Sequence, residues 1–296
     1  MGNAAAKAKE ATNKAKEARA QQKSKPKNTK SVQQQKIQSA QATGVLALTE
    51  RKLKRVPDEV LALTQLRTLD LSQNRLEEIP REIAALSCLK TLKLQSNALT
   101  TLPDLSALTA LTTSPCTKHH VPGQLVLDGN AISSLPHALP PNLTKLSLKG
   151  NQLAVIPQTI TSLTQLKELD LSENQLTQIP QHINQLGELV DLCLDRNSLR
   201  QLPPAVAQCG KLKVLSARHN QLRGLQKGEL PEQQSIASEI LADSLVQIMN
   251  LDGNPMTKIE LEAMIGIDAF LHRRTQLKNK EIHGGLSTDT SVCGLD

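Results

Sequence analysis

The chain has 296 residues, a formal net charge of +7 and 39% hydrophobic residues, yet no Trp or Tyr and a single Phe, Phe270. A core of this size must therefore be aliphatic, which suits a cross-section repeated at fixed spacing better than an irregular globule, and RNA-binding strands that stack bases on aromatic rings are excluded. Ten of the 35 Lys and Arg and two of the 28 acidic residues lie in residues 1–43, leaving 25 basic and 26 acidic residues in a neutral body with no basic face for DNA or RNA.

Residues 1–43 read as a basic, disordered N-terminal segment. They carry no apolar stretch of signal-peptide type, and no window of the chain approaches a membrane-spanning run, so exposure to the cytosol is expected. The start MGNAAAKAK places Gly2 for N-myristoylation once Met1 is removed, although the motif prefers Ser or Thr where Ala6 stands. One acyl chain holds a membrane only marginally. Lys7, Lys9, Lys14, Lys16, Arg19, Lys23, Lys25 and Lys27 would supply the second signal, at about 1 kcal/mol per basic residue near an anionic leaflet. The expected localisation is cytoplasmic and peripheral, on the cytoplasmic face of a membrane. The five cysteines, Cys88, Cys116, Cys193, Cys209 and Cys293, are scattered and odd in number, as expected of reduced thiols.

From residue 44 onward the chain repeats itself. A weak first copy, TGVLALTERKLKRVP, has Arg51 where later copies have Asn, and it reads as an N-terminal cap. The pattern L-x-x-L-x-L-x-x-N-x-L then appears as LRTLDLSQNRL, LKTLKLQSNAL, LTKLSLKGNQL, LKELDLSENQL, LVDLCLDRNSL and LKVLSARHNQL, around Asn74, Asn97, Asn151, Asn174, Asn197 and Asn220. The commonest interval between successive Asn residues is 23. The L-x-L part predicts a short strand with alternate side chains inward. The Asn amide is expected to satisfy backbone groups at the turn, and the Ile-Pro or Leu-Pro pair that follows most copies ends the hydrogen bonding. Stacked copies make an α/β repeat solenoid, a horseshoe with a parallel concave sheet and a short helical or irregular convex side.

Two places break the period. Between Asn97 and Asn130 the interval is 33, and deleting residues 114–124, SPCTKHHVPGQ, leaves LTTLVLDGN, which fits the pattern. These residues either project as a loop beside the concave face or are a stretch that the transcript lacks. Their Cys116, His119 and His120 lack a fourth ligand at metal-site spacing, and no metal is expected. Near the C-terminus, VQIMNLDGN brings Asn254 to the Asn position 34 residues after Asn220, and TKIELEAMIGIDAFLHRRTQL has helical apolar spacing that could cover the open end. The expected organisation is a repeat domain over 44–274, about nine repeats including caps with an insert at 114–124, and a flexible tail over 275–296.

These motifs resemble leucine-rich repeats of the intracellular, Ras-suppressor type. Together with the Met-Gly-Asn start and ILADSLVQIMNLDGNPMTKIELEAMIGIDAFLHRR, the resemblance implies a membrane-associated, lipid-anchored adaptor. A soluble scaffold or regulatory subunit in small-GTPase or phosphatase signalling is the other reading it leaves open.

Binding residues are expected on the outward strand positions, which the core does not use. Glu168, Asp170, Asp191 and Asp195 form an acidic block around Cys193, flanked by Lys145 and Lys149 on one side and by Lys213 and Arg218 on the other. Alternating charge blocks suit electrostatic selection of a protein partner. No phosphate loop, no nucleophile in a recognised setting and no second domain point to catalysis or a cofactor, and carboxylates beside Cys193 should raise its thiol pKa. The expectation is a monomeric, non-catalytic interaction module for a protein partner, without nucleic acid.

Overall fold

The computed structural model describes residues 30–109, 123–225, 230, 233–284 and 293–295. Nine three-residue strands, β1 (Val45–Ala47), β2 (Thr68–Asp70), β3 (Thr91–Lys93), β4 (Gln124–Val126), β5 (Lys145–Ser147), β6 (Glu168–Asp170), β7 (Asp191–Cys193), β8 (Val214–Ser216) and β9 (Ile248–Asn250), pair in chain order in one parallel sheet. The central Leu of β1–β8 aligns with its neighbour's, as in Leu146↔Leu169 and Leu169↔Leu192, and Met249 takes that place in β9. That residue and the next inward one, such as Leu169 with Leu171 or Leu192 with Leu194, are at most 2% exposed. Each buried Leu contributes about 1.5–3 kcal/mol of transfer free energy, and each layer is covered only by the repeats on either side of it.

The Asn residues bind the layers together. Asn174 Nδ2 donates to the carbonyls of Leu148, Leu171 and Ser172 at 3.0–3.1 Å, while its Oδ1 accepts from Leu153 N at 3.0 Å. Asn197 and Asn220 repeat this arrangement one and two layers on, and Asn74 makes it at the N-terminal end with Arg51 N as a further donor. The residue before each Asn must turn through the left-handed region. Gly129, Gly150 and Gly253 do so without a Cβ clash, whereas Gln73, Ser96, Glu173, Arg196 and His219 hold φ of 50–56°. Their backbone N–H groups reach the next layer, as in Glu173 N to Asp195 O at 2.8 Å, and these bonds offset the strain.

On the convex side, Pro57, Pro80, Pro157, Pro180 and Pro203 stand just before single helical turns: α2 (Asp58–Leu61), α3 (Gln158–Thr161) and the 3₁₀ turns Arg81–Ala85, Gln181–Gln185 and Pro204–Val206. Each proline has its φ preset and offers its carbonyl to the third residue on, as in Ile160 N to Pro157 O at 3.0 Å. The proline thus both ends the strand-side bonding and starts the turn.

Both ends of the folded unit extend beyond the expected boundaries. Disorder through residue 43 gives way to a helix, α1 (Lys30–Thr43), whose Ile37 and Ala40 join the core and whose Lys36 Nζ bonds to Ala47 O at 2.9 Å. Its apolar positions are sparse because it covers only the edge of the first Leu layer. At the other end, α4 (Ser238–Ala242), α5 (Lys258–Glu262) and α6 (Ile267–Gly284) close the stack, so the helix passes the expected limit at 274. Phe270 is fully buried there, and Leu251 N donates to Cys293 O at 2.9 Å, so Cys293 lies against the last layer rather than in a free tail. Arg273 locks this cap by donating to four carbonyls, those of Ile240, Leu241, Ala242 and Val246, at 2.6–3.4 Å. Of the insert, residues 114–122 lie outside the described residues, while Gly123 and Gln124 enter the sheet in register with Lys90 and Thr91.

Candidate protein-binding face

Outward side chains line the concave sheet in rows one repeat apart. The first row runs Val45, Thr68, Thr91 and Gln124 on β1–β4, then Lys145, Glu168 and Asp191 on β5–β7. The change from uncharged to charged happens between two adjacent strands with the same backbone. Nothing in the core demands it, so it is a property of the surface.

On β5–β7 and the turns that follow them, the acidic set divides in two. Asp170 Oδ1 accepts from Ser172 N at 2.9 Å and Ser172 Oγ at 2.6 Å. Asp195 Oδ1 accepts from Ser216 Oγ at 2.7 Å and Arg218 N at 2.8 Å, bridging two repeats. These carboxylates belong to the fold as much as to the surface. Glu168 instead forms an ion pair with Lys145 at 2.5 Å, both side chains being more than 40% exposed, and the Asp191 carboxylate has no hydrogen-bond or ion-pair partner among the described residues. Burial, and then the neighbouring Glu168 charge, push the Asp191 carboxyl up against the opposing pull of Lys145. An incoming cation would relieve that repulsion.

The flanking bases are also placed. Lys149 pairs with Glu173 at 3.3 Å, and the hydrogen bond to that carboxylate raises its pKa. Arg218 pairs through Nε with Asp252 at 2.8 Å. Lys213 is not on the face: it precedes β8, and Val214 occupies the outward position opposite Asp191. In L-x-x-L the third residue, not the second, points outward, and Lys213 instead serves the sheet through its carbonyl, which accepts from Gln247 N and Ile248 N.

Four acidic residues of the face escaped the sequence reading, among them Asp70 on β2, which accepts from Ser72 N and Ser72 Oγ as Asp170 does from Ser172. Asp128 accepts from Ser147 Oγ at 2.5 Å and Lys149 N at 3.1 Å, the same bridge that Asp195 makes. Its signal was an Asp two residues before Asn with a Ser at the central outward position of the next repeat, as in LDGN followed by KLSLKGN. Asp252, in a second LDGN, and Glu173 are found only through their ion pairs. Cys193 sits amid the acidic set as expected. Its thiol is pushed up to about 11, with burial as the main cause and Asp170 and Asp195 adding to it, which keeps it protonated at neutral pH.

Among the described residues, no group of three or more His, Cys, Asp or Glu is arranged to hold a metal ion, and no helix is long and apolar enough to cross a membrane. Cys116, His119 and His120, like Gly2 and the basic positions from Lys7 to Lys27, lie outside the described residues.

The open nine-stranded parallel sheet with its buried Leu and Asn rows decides the architecture. The fold is a leucine-rich-repeat solenoid. A leucine-rich-repeat family model matches residues 44–112 and 141–199, on either side of the irregular interval between Asn97 and Asn151. Among solved structures of the same solenoid type, the functional domain of InlJ from Listeria monocytogenes is 21% identical with a TM-score of 0.50; the match covers 77% of this chain and 48% of that one. A TDR receptor is 24% identical with a TM-score of 0.50, over 72% of this chain and 35% of the other. The chain thus spans about half the length of the first and about a third of the second, and the likeness is one of fold. No curated protein sequence matches the chain.

Proposed function

We propose that this leucine-rich-repeat solenoid is a non-catalytic, membrane-tethered intracellular adaptor that holds a protein partner on the β5–β8 half of its concave face. The observation that carries the reading is the pair Glu168 and Asp191. They are neighbours in register, they lack the serine and backbone donors that tie down Asp170 and Asp195, and Asp191 is strained toward protonation by its surroundings. A basic partner segment lying across β6 and β7 would complete their electrostatics, and Lys145, Lys149 and Arg218 at the margins would set its register. Tethering rests on Gly2 and the basic residues that follow it, which together provide the two signals stable attachment requires. The start and the C-terminal segment also resemble leucine-rich repeat-containing protein 57, which supports the adaptor reading. The module acts as a monomer on the cytoplasmic face.

Affinity capture from a native extract with the full chain, against the Glu168→Lys, Asp191→Lys double variant, tests the face. A protein held by the first and lost by the second, while both melt alike, is the expected outcome; identical protein lists would place binding elsewhere. For the tether, Gly2→Ala should move the protein from the membrane fraction to the soluble one. An unacylated Gly2 in the natural protein would leave a soluble scaffold instead.

A further inference from the structure

The 29 residues that precede α1 lie outside the described residues, yet their composition limits what can hold them. They contain eight Lys and Arg against two Glu, a balance of +6, and no Leu, Ile, Val or aromatic residue. Such a segment has little to offer an apolar groove and suits a surface of opposite charge. The concave face has one. The outward positions of β6 and β7 are Glu168, Asp170, Asp191 and Cys193, three acids without a base, and Asp195 follows in the next turn. On either side the face changes, to Lys145 and Ser147 on β5 and to Val214 and Ser216 on β8. Burial and the Glu168 charge push the Asp191 carboxyl up, and an ammonium group beside it would draw it back down.

Reach decides which basic residues can get there. Helix α1 leads directly into β1, and Lys36 Nζ meets Ala47 O at 2.9 Å, so the segment enters at the β1 end of the sheet. From β1, β6 lies five strands away, roughly 24 Å at about 4.8 Å per strand. Adding the whole length of the 14-residue helix, about 21 Å, sets the longest path at about 45 Å. Lys16 stands 14 residues before Lys30, a span of about 46–50 Å when extended, so Lys16, Lys14, Lys9 and Lys7 all reach the acids. Lys27, three residues before α1, spans about 10 Å and falls short. A second group of acids, Asp58, Glu78 and Glu82, lies on the convex side near the same end, but Arg55 shares its cavity.

We propose that residues 7–16 fold back onto Glu168, Asp170 and Asp191 and occupy the β6–β7 face, in competition with the external partner and with an anionic membrane surface. The inference rests on the reading of that face as the binding site and adds its regulation. The same lysines cannot pair with the face and with anionic headgroups at once. A membrane that takes the segment therefore uncovers the face, and partner binding is strongest where the chain is tethered.

Zero-length carbodiimide cross-linking of the full chain, read by peptide mass spectrometry, tests the contact because it joins only amines and carboxylates that already touch. Links from Lys7, Lys9, Lys14 or Lys16 to Glu168, Asp170 or Asp191 are expected, and none from Lys27. They should vanish at high salt and with phosphatidylserine vesicles, but not with phosphatidylcholine vesicles. An equimolar mixture of isotope-labelled and unlabelled chain should give no hybrid links, since the contact lies within one chain. Independently, trypsin should cut after Lys14 and Lys16 about fivefold faster in the Glu168→Gln, Asp191→Asn variant than in the parent, the loss of two exposed charge pairs. Neither position belongs to the buried core, so matching unfolding midpoints certify the variant. Absence of these links, links only to Asp58, Glu78 or Glu82, links that survive phosphatidylserine, mainly hybrid links, or equal trypsin rates would overturn the proposal. A partner captured through Glu168 and Asp191 by a chain without such links would also overturn it, while leaving the binding face itself in place.

Discussion

Between β5 and β8 the solenoid is held by the same bonds made again in every layer, whereas from residue 233 to the end of α6 it is held by bonds made once. Asn174 and Asn197 are interchangeable parts of one ladder, each reaching the carbonyls of two layers. Arg273 and Gln234 have no counterparts: the first gathers four carbonyls around the C-terminus of α4, and the second accepts from Ile265 N at 3.0 Å and donates to Ile236 O at 2.6 Å. The difference predicts how damage spreads. A defect in the ladder uncouples two neighbours and should weaken the whole array, while a defect in the cap should open one end.

The largest effect is expected inside the ladder's core. Leu171→Ala, at a fully buried position, should cost about 2–5 kcal/mol in urea denaturation, more than Ile37→Ala in the single-sided N-terminal helix, which has room to collapse. Next comes Asn174→Ala, which strands the carbonyls of two layers and should lower the unfolding free energy of the whole domain by about 3 kcal/mol in urea denaturation. Arg273→Ala should cost about 1–3 kcal/mol, a value that holds only if the cap's carbonyls stay buried. By hydrogen exchange it should speed the amides of 238–250 and leave those of 144–174 unchanged; equal acceleration in both regions would break the contrast between ladder and cap. The Lys145–Glu168 pair is exposed, so a double-mutant cycle should give a coupling below about 1 kcal/mol that fades with salt.

The smallest effect concerns pH. Burial, more than the Ser147 bond opposes it, raises the Asp128 carboxyl pKa, so folding favours its protonated form. The contribution is fully present below the ordinary Asp value and is lost as pH rises through the raised one. The parent protein should therefore gain stability relative to Asp128→Asn on acidification from neutral pH through that window, and a relative loss would mean that the Ser147 and Lys149 donors dominate instead.

The Leu and Asn rows were legible because each is demanded at a fixed interval by the same cross-section, and repetition makes a weak local signal countable. The strand register across 114–124 was legible for the same reason: LVLDGN can enter the sheet in only one way. Lys213 was misplaced by a single position, since a period of two inside a strand turns a one-residue shift into the opposite face. The two classes of carboxylate were not legible. Asp170 and Glu168 look alike in ELDLSEN, and only the positions of Ser172 and Lys145 show that one is bonded into its own turn and the other paired across strands.

From the sequence alone came the solenoid, its parallel concave sheet and the Asn ladder, because all of these follow from spacing. The tertiary structure decided where the folded unit starts and stops and which acids are committed to the fold. Those features depend on residues that meet once, across separations with no period, and a contact made once leaves no pattern to count.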